Sequence, residues 1–529
     1  MIATHFRTFK HAPAFFFLLF LFAGNYLFLL NASFIGFHNH DWGGFMDASY
    51  RMYRGQLPYV DFYYHSGPLH PYMNVFFFKI FGFGKDAILA HLVTVNSLVC
   101  LATFFITYRR IPFLLTCFST LLTLAFYYWI YPHPYYDYSA HFWGILGITA
   151  LSRELPSTSA ARACLTAAAC GAAVTFASMC KINVGAAYFA VFGAVFLFSP
   201  FRLYTFPAYA SGLLVGLAAV LLLVPDIGAL IENMFVYGFS QTSRFAWLLN
   251  LKAWLWNGYS AAFAAAALYV LLSRRVVLPL FVLFAGTAFA GLFTRLTSSS
   301  FKEWWIYKPL LGVFLALAFL LLYQAKPAKE NKRLKYVFYA VLTALVVSGG
   351  VQMQRSFFDC YLKVRYKIGF LKEFIIADVP PGRRYYMKSG PFKGWLHVDV
   401  VGRPLEEMAD YIKQNVPENE ELLVMSRLQS IYWLTGRQSY KGVPFHWDID
   451  TSPAPGQRWN QVRDYLLNDP PAWLVLSSEE GYQINAIFKY MELPISYLSQ
   501  YEQVGTWSNQ ALLRRIRVLK PSELENTGA

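Results

Sequence analysis

Long apolar segments separated by short polar ones occupy the first two thirds of the chain. A bilayer-spanning helix needs about 20 mostly apolar residues. Eleven segments approach that length, and they predict a polytopic all-α membrane region: Ala14–Leu30, Asp86–Thr107, Phe113–Ile130, Ser139–Leu151, Cys164–Met179, Val184–Phe198, Pro207–Val224, Tyr259–Leu272, Val277–Phe293, Pro309–Tyr323 and Tyr336–Val351.

The basic residues between these spans predict the topology. They fall before the first span and after the second, fourth, sixth, eighth and tenth, at Arg7, Lys10, Arg109, Arg110, Arg153, Arg162, Arg202, Arg274, Arg275, Lys326, Lys329, Lys332, Arg333 and Lys335. Cytoplasmic loops collect Lys and Arg, so the pattern predicts a multi-pass protein of the plasma (inner) membrane with a cytoplasmic N-terminus. An odd number of spans then places the chain after Val351 outside the cytoplasm.

The last third of the chain has a different pattern. PLEEMADYIKQNV indicates an amphipathic helix ended by Pro417, and QINAIFKYM indicates another helix. ELLVMS, AWLVLS and ALLRRIRVL indicate strands. The alternation predicts a soluble extracytoplasmic α/β domain over residues 352–529, following a membrane domain over residues 1–351.

Composition supports the membrane assignment. Of the 529 residues, 56% are hydrophobic and only 14% are charged, whereas soluble chains have about 25% charged residues. The net charge of +15 would indicate nucleic acid in a soluble protein. In a membrane protein the positive-inside rule explains most of it, so we expect no nucleic-acid partner.

The loop between the first two spans, residues 31–85, has structure of its own. FMDASYRMYRG indicates an amphipathic helix ended by Gly55, and LHPYMNVFFFKIFG indicates a second, more apolar helix suited to the membrane interface. Pro58, Gly67 and Pro68 predict turns between them.

The amino-acid sequence of this loop resembles that of the GT-C glycosyltransferases, which include the protein O-mannosyltransferases and the lipid A aminoarabinose transferases. Its motifs match those of bacterial members that resemble dolichyl-phosphate-mannose transferases. They have an Asp, a helix, a G-x-x-P-Y-x-D-F stretch and a G-P-L turn. The corresponding residues here are Asp41, Gly55, Pro58, Tyr59, Asp61, Phe62, Gly67, Pro68 and Leu69. Many members have Asp-Glu where this chain has Asp41-Trp42.

The resemblance implies a GT-C-like membrane fold and transfer of a sugar from a polyprenyl-phosphate donor to an extracytoplasmic glycan, lipid or protein, with inversion. It assigns Asp41 as the general base. The alternative for Asp41 is a helix N-cap, because Asp is a favoured cap residue. Asp47, within the same helix, is expected on a solvated face.

Two further loop residues are candidate substrate contacts, Asp61 and His65. For Asp61 the alternative is a turn-stabilising carboxylate.

The second external loop and the fifth-to-sixth turn contribute Asp137 and Lys181. Ionisable residues at membrane depth are costly and usually functional. Asp137 is predicted to contact the acceptor or a basic partner, or else to lie in an interfacial loop whose belt includes Tyr127 and Tyr128. Lys181 is predicted to bind the donor phosphate, or else to snorkel to the interface.

Arg244 and Lys302, in later external loops, are also candidate phosphate contacts, although lipid head groups would explain them equally well. The stretch IYWLTGRQSY resembles the external domains of GT-C relatives, and we interpret the C-terminal domain as a lid or acceptor-recognition module or as a structural cap.

No Cys or His spacing indicates a metal site, so no cofactor is assigned, while the resemblance leaves a divalent ion open. A transporter or flippase of a lipid-linked sugar is the alternative function. Against it, the sequence has neither internal repeats nor broken helices in matched halves. A non-catalytic scaffold is the other alternative, and it leaves the structured first loop unexplained.

Overall fold

The computed structural model describes most of the chain, namely residues 12–32, 41–62, 64, 66–128, 133–155, 159–224, 226–232, 234, 264, 267–269, 277–297, 308–325, 332–357, 384–425, 428–438, 457–477, 493, 495–508 and 510–518. It divides into two compact units. The helical unit comprises Met1–Ser33, Ile88–Leu223 and Arg244–Asp378, and the mixed unit comprises Phe34–Ala87, Val224–Ser243 and Val379–Ala529.

Helices make up almost all of the described chain before residue 358. In chain order they are α1 Ala12–Ala32, α2 Asp41–Tyr53, α3 Leu69–Phe81, α4 Lys85–Thr107, α5 Phe113–Tyr127, α6 Tyr136–Glu154, α7 Ala160–Cys180, α8 Ile182–Leu197, α9 Arg202–Leu221, α10 Ile227–Ile231, α11 Leu278–Thr297, α12 Leu311–Gln324 and α13 Lys332–Phe357.

Each predicted span but one overlaps one of these helices, with ends that differ by up to several residues. The exception is Tyr259–Leu272, most of which lies outside the described residues. By length and composition, four helices in the described part can cross a membrane, within Ala12–Leu30, Lys85–Thr107, Ala160–Cys180 and Arg202–Leu221. Phe113–Tyr127, Ile182–Leu197, Leu278–Gly291, Leu311–Gln324 and Lys335–Val351 are shorter apolar helices. The mostly helical class is therefore confirmed, and the total of eleven spans stays a prediction.

Close backbone contact holds α7 against α9. A Cβ at Gly212 would overlap the Ala168 carbonyl, and a Cβ at Gly171 would overlap the Tyr209 carbonyl. Thr175 Oγ1 also donates a hydrogen bond of 3.0 Å to the Leu213 carbonyl across this interface. Small residues let membrane helices approach closely where lipid supplies no hydrophobic driving force between them.

We expect Gly212→Val to force α7 and α9 apart and to lower the free energy of unfolding by about 1–3 kcal/mol or more, the usual cost of overpacking. Thermal unfolding in detergent measures this. Gly193→Val is the control, because nothing lies within 4 Å of a Cβ there. An equal loss of stability in both variants would contradict the packing role of Gly212.

The mixed unit contains all the strands of the described chain. After α13 the elements are β1 Arg384–Tyr386, β2 Leu396–Val398, α14 Asp399–Asn415, β3 Leu422–Met425, α15 Ser430–Thr435, α16 Gln457–Asn468, β4 Trp473–Ser477, β5 Tyr501–Trp507 and β6 Gln510–Arg515. β1 and β2 form an antiparallel pair. The larger sheet has the order β3-β4-β6-β5, parallel between β3 and β4 and antiparallel elsewhere.

One core fixes this larger sheet. It contains Leu423, Met425, Leu466, Leu474, Leu476, Leu493, Tyr497 and Tyr501, all buried. β3 is buried at every position, which is typical of a parallel strand covered on both faces. The helix predicted from PLEEMADYIKQNV and the strands from ELLVMS, AWLVLS and ALLRRIRVL are present as α14, β3, β4 and β6, and QINAIFKYM lies outside the described residues.

The carboxylate of Glu406, on α14, fixes the turn between β1 and β2. It accepts hydrogen bonds from the Tyr385 hydroxyl at 2.5 Å, the Ser389 hydroxyl at 2.8 Å and the backbone N–H groups of Lys388 and Ser389 at 2.7–3.0 Å. Burial raises the pKa of this carboxyl, but the hydrogen bonds outweigh burial and bring the pKa below its ordinary value of 4.5.

We expect Glu406→Gln to lower the local stability of the β1–β2 turn by about 1.5–3 kcal/mol, since these bonds are to a charged group. Faster amide hydrogen exchange over residues 384–398 at pH 7 measures the loss. Because the pKa is lowered on folding, the contribution of Glu406 is full above about pH 4.5 and is lost as the pH falls through the lowered pKa. The difference between wild type and variant should therefore vanish in acid, and its persistence there would contradict the assignment.

Candidate functional site

An ion pair joins two of the predicted site residues in the helical unit. Asp137 lies in the first turn of α6, and Lys181 is the single extended residue between α7 and α8. Lys181 Nζ lies 2.7 Å from Asp137 Oδ1, and the two side chains are 12% and 1% exposed. Asp137 thus contacts a basic partner, one of its two predicted roles, and the lysine is held by protein and does not snorkel.

Backbone geometry presents Lys181 at this point. Its N–H donates to the Ala177 carbonyl at the end of α7, and its own carbonyl accepts from Gly185 in the first turn of α8. Asn183 Oδ1 accepts from the Val184 N–H at 3.0 Å and satisfies a backbone donor in that turn. The helix break therefore costs few backbone hydrogen bonds and leaves the lysine beside Asp137.

One aromatic ring contacts the pair, and a cluster of buried tyrosines includes the residue that follows Asp137. Lys181 Nζ lies 4.3 Å from the centroid of the Tyr136 ring, a cation–π distance. The Tyr127 hydroxyl donates to the Tyr138 carbonyl, and the Tyr128 and Tyr138 rings are 4.9 Å apart. The expectation that Tyr127 and Tyr128 form an interfacial belt is wrong, because both are fully buried against Tyr138.

His141 lies one turn after Asp137 on α6. Its Nδ1 is 2.9 Å from the Tyr188 hydroxyl, so it acts as a hydrogen-bonded spacer between α6 and α8. Among the described residues, no three His, Cys, Asp or Glu side chains converge as metal ligands would.

Two of the basic loops, those after α4 and α6, lie at the end of these helices opposite to the ion pair. Arg110, after α4, donates a 2.5 Å hydrogen bond to the Ser152 carbonyl near the end of α6, so these two helix ends meet. At the other end, the His91 ring near the start of α4 contacts Tyr128 after α5. The loops after α4 and α6, both predicted to be cytoplasmic, thus share one end, and Asp137 lies at the end from which α4 begins.

The predicted base, Asp41, is the first residue of α2 in the mixed unit. Its side chain lies outside the described part of the structure. α2 ends at Tyr53, and Gly55 follows with φ of +94°, as predicted from FMDASYRMYRG. Of the other predicted site residues, His65, Arg244 and Lys302 lie outside the described residues.

Asp61 stabilises the turn after α2. Its Oδ2 accepts a 2.7 Å hydrogen bond from the Leu57 N–H, and the residue is exposed. In the same turn Tyr59 has φ of +68°, and its hydroxyl donates to the Ser66 carbonyl. Asp61 therefore has the turn-stabilising role, and its exposure leaves its carboxylate in reach of a ligand.

A second ion pair, which sequence reasoning missed, lies within α2. The expectation that Asp47 is on a solvated face is wrong: Arg51 Nε lies 2.7 Å from Asp47 Oδ2, and both side chains are buried. Burial raises the pKa of Asp47, and the charge of Arg51 and its hydrogen bond oppose that rise. The i,i+4 spacing of an acid and an arginine was the available signal.

Polar residues also join α2 to α3. Asn74 Nδ2 donates to Ser49 Oγ at 3.0 Å and lies 3.4 Å from His70 Nε2, and all three residues are buried. The Phe45 ring meets the His70 ring edge to face at 5.7 Å. A fixed hydrogen-bond network thus orients the two helices of the first loop, and nothing in the sequence pattern distinguishes it from interfacial polar residues.

Comparison with solved structures finds similar folds. The chain is similar to the crystal structure of ArnT from Cupriavidus metallidurans bound to undecaprenyl phosphate, with a TM-score of 0.57 and 14% identity, over 95% of this chain and 98% of that one. The apo structure of the same ArnT gives a TM-score of 0.51 at 14% identity, over 97% and 98%. Comparisons with protein-family models and with curated proteins find no match. The chain therefore has the fold of ArnT, an aminoarabinose transferase of the GT-C superfamily, as the resemblance of its first loop predicted.

Proposed function

We propose that this chain is a membrane glycosyltransferase that moves a sugar from a polyprenyl-phosphate donor to an extracytoplasmic glycan, lipid or protein. The observation that carries the proposal is the similarity to ArnT along nearly the whole of both chains, in a structure that holds undecaprenyl phosphate. The buried Asp137–Lys181 pair supports it, because an ion pair kept at the end of a membrane bundle is typical of a functional site.

In the proposed reaction Asp41 is the general base. Its carboxylate takes the proton from an acceptor hydroxyl or amine as the acceptor oxygen or nitrogen attacks the anomeric carbon of the sugar. The bond from that carbon to the phosphate oxygen breaks, and the phosphate leaves with the electron pair. A single displacement of this kind inverts the anomeric centre, and the acidic leaving group needs charge neutralisation more than a proton donor.

Lys181, with Arg244 or Lys302, is the proposed phosphate partner. Lys181 carries the positive charge that a leaving phosphate needs, and its Nζ is hydrogen-bonded to Asp137 at 2.7 Å and to Tyr136. The proposed phosphate site lies beside this pair, where the Asp137 carboxylate stabilises the charged form of the buried lysine. Asp61 and His65, on the same loop as Asp41, are proposed contacts to the sugar or the acceptor.

The proposal places the enzyme in the plasma (inner) membrane, with its acceptor site and its mixed unit outside the cytoplasm. Its partners are the donor, the acceptor and the bilayer.

The purified protein with a panel of tritiated undecaprenyl-phosphate sugars and a cell-envelope acceptor fraction tests the function. We expect transfer of label from one donor to the acceptor fraction, with release of undecaprenyl phosphate. The same donors in liposomes test the transporter alternative. Movement of intact donor across the bilayer without transfer would replace the enzyme assignment by that of a flippase.

A further inference from the structure

The mixed unit contains a set of contacts that fix the helix bearing the proposed base. α2 begins at Asp41 and carries Arg51 near its other end. The Arg51 guanidinium carbon lies 5.4 Å from the centroid of the Phe62 ring and 5.7 Å from that of Tyr432 on α15. A buried guanidinium that is paired with a carboxylate and lies over aromatic rings has very few alternative positions.

Tyr432 is itself held by the larger sheet. Its hydroxyl accepts a 2.8 Å hydrogen bond from the Val424 N–H in β3, and its side chain is 1% exposed. The ring that faces Arg51 therefore belongs to the rigid core of the C-terminal part of the chain.

A second set of contacts connects α15 to α2. The Trp433 ring on α15 contacts the Phe83 ring at 6.2 Å, and Phe83 contacts Tyr50 on α2 at 4.9 Å. Phe83 also meets Phe392 at 5.7 Å. Tyr432 of α15 thus contacts Arg51 of α2 directly, and Trp433 contacts Tyr50 through Phe83. All these side chains are buried or half-buried.

We propose that Arg51 and Tyr432 form a clamp by which the C-terminal part of the chain positions α2, and with it Asp41. This inference rests on the proposed function of Asp41. Arg51 lies ten positions after Asp41 in the helix, about 15 Å at 1.5 Å per residue, so a small tilt at the clamp displaces the first turn. Arg51 and Tyr432 are positioning residues, and they act through the helix.

The clamp explains the burial of Asp47. Asp47 pairs with Arg51 across one turn of α2, which neutralises the guanidinium and fixes its direction toward Tyr432. A solvated i,i+4 pair would add only a few tenths of a kcal/mol to helix stability. A buried pair is more often retained for specificity of arrangement than for stability.

The test compares Arg51→Met, Tyr432→Leu and the double variant with Tyr432→Phe and Leu466→Ala. We expect kcat for the transferred donor to fall roughly 10–100-fold in the first two, as for a misplaced catalytic group, with KM within about twofold. The double variant should lose no more than Arg51→Met alone, because Tyr432→Leu removes no further contact to α2 once the guanidinium is gone. Arg51→Met also removes the pair with Asp47 and the contact with Phe62. Tyr432→Phe keeps the ring near Arg51 and loses the hydrogen bond with the Val424 N–H, so it should retain more of kcat than Tyr432→Leu.

Leu466→Ala controls for general destabilisation. Leu466 is fully buried in the core of the larger sheet, so its truncation weakens the unit without touching α2. Amide hydrogen exchange over residues 45–53 should rise in Arg51→Met and Tyr432→Leu and stay unchanged in Leu466→Ala. An equal fall in kcat in Leu466→Ala, multiplicative losses in the double variant, or unchanged exchange in Tyr432→Leu would each overturn the proposal.

A failure of the proposed function would look different. The wild type would then transfer no sugar, or Asp41→Asn would transfer as well as the wild type. Amide hydrogen exchange over residues 45–53 tests the clamp independently of sugar transfer, because it measures how strongly Tyr432 stabilises α2.

Discussion

Replacing Asp41 by Asn should lower kcat for sugar transfer by about 10²–10⁴-fold, the usual contribution of a general base. The amide has nearly the same shape as the carboxylate but cannot accept the acceptor's proton. Because the base acts in the transition state, KM for the lipid-linked donor should change by less than about twofold. Single-turnover transfer from tritiated undecaprenyl-phosphate sugar measures both.

An N-cap role for Asp41 predicts a different result. Asn is as good a cap as Asp, so Asp41→Asn would then leave both transfer and the stability of α2 unchanged. Asp86→Asn is the matched control, since Asp86 is an exposed acid in the first turn of α4 with no proposed role. Transfer by Asp41→Asn at the wild-type rate would remove Asp41 from the mechanism.

The helices of the membrane region could be predicted because the length of each apolar segment determines them. A backbone in lipid must satisfy its own hydrogen bonds, so each long apolar run becomes a helix, as in α4 and α7. The turn chemistry of the first loop was also local: Gly55 has the positive φ that its position after α2 requires. The three-residue strands β1 and β2 carry too little pattern to be detected.

Side-chain partners could not be predicted in the same way. Asp137 and Lys181 are 44 residues apart, and the sequence marks each as unusual without showing that they meet. Tyr127 and Tyr128 have the composition of an interfacial belt, and only the packing of α6 distinguishes a buried cluster from a belt. Asp47 and Arg51 show helical spacing, but their burial depends on Tyr432, which comes much later in the chain.

Removing one partner of the buried Asp137–Lys181 pair should be strongly destabilising. Lys181→Met deletes the charge that compensates Asp137, and we expect the free energy of unfolding to fall by about 3–5 kcal/mol. Asp137→Asn/Lys181→Met removes both charges and should cost clearly less than Lys181→Met alone. Unfolding in detergent, followed by far-ultraviolet circular dichroism, measures all three proteins.

An exposed ion pair gives the matched control. Arg514 and Glu502 pair across β6 and β5 with side chains 55% and 43% exposed. Arg514→Met should change the free energy of unfolding by less than about 1 kcal/mol, because solvent screens such pairs. Equal destabilisation by Lys181→Met and by the double variant would show that the two charges are not coupled.

The double variant also separates a structural pair from a phosphate site. If Lys181 serves only to neutralise Asp137, a folded double variant should bind and transfer the donor like the wild type. If Lys181 also neutralises the leaving phosphate, the double variant should fold but bind undecaprenyl phosphate at least about tenfold more weakly, since a charge-assisted hydrogen bond contributes about 1.5–3 kcal/mol. Wild-type binding by a stable double variant would leave Arg244 and Lys302 as the phosphate ligands, whereas weakened binding would identify the Lys181 side chain as the point where the helical bundle meets its substrate.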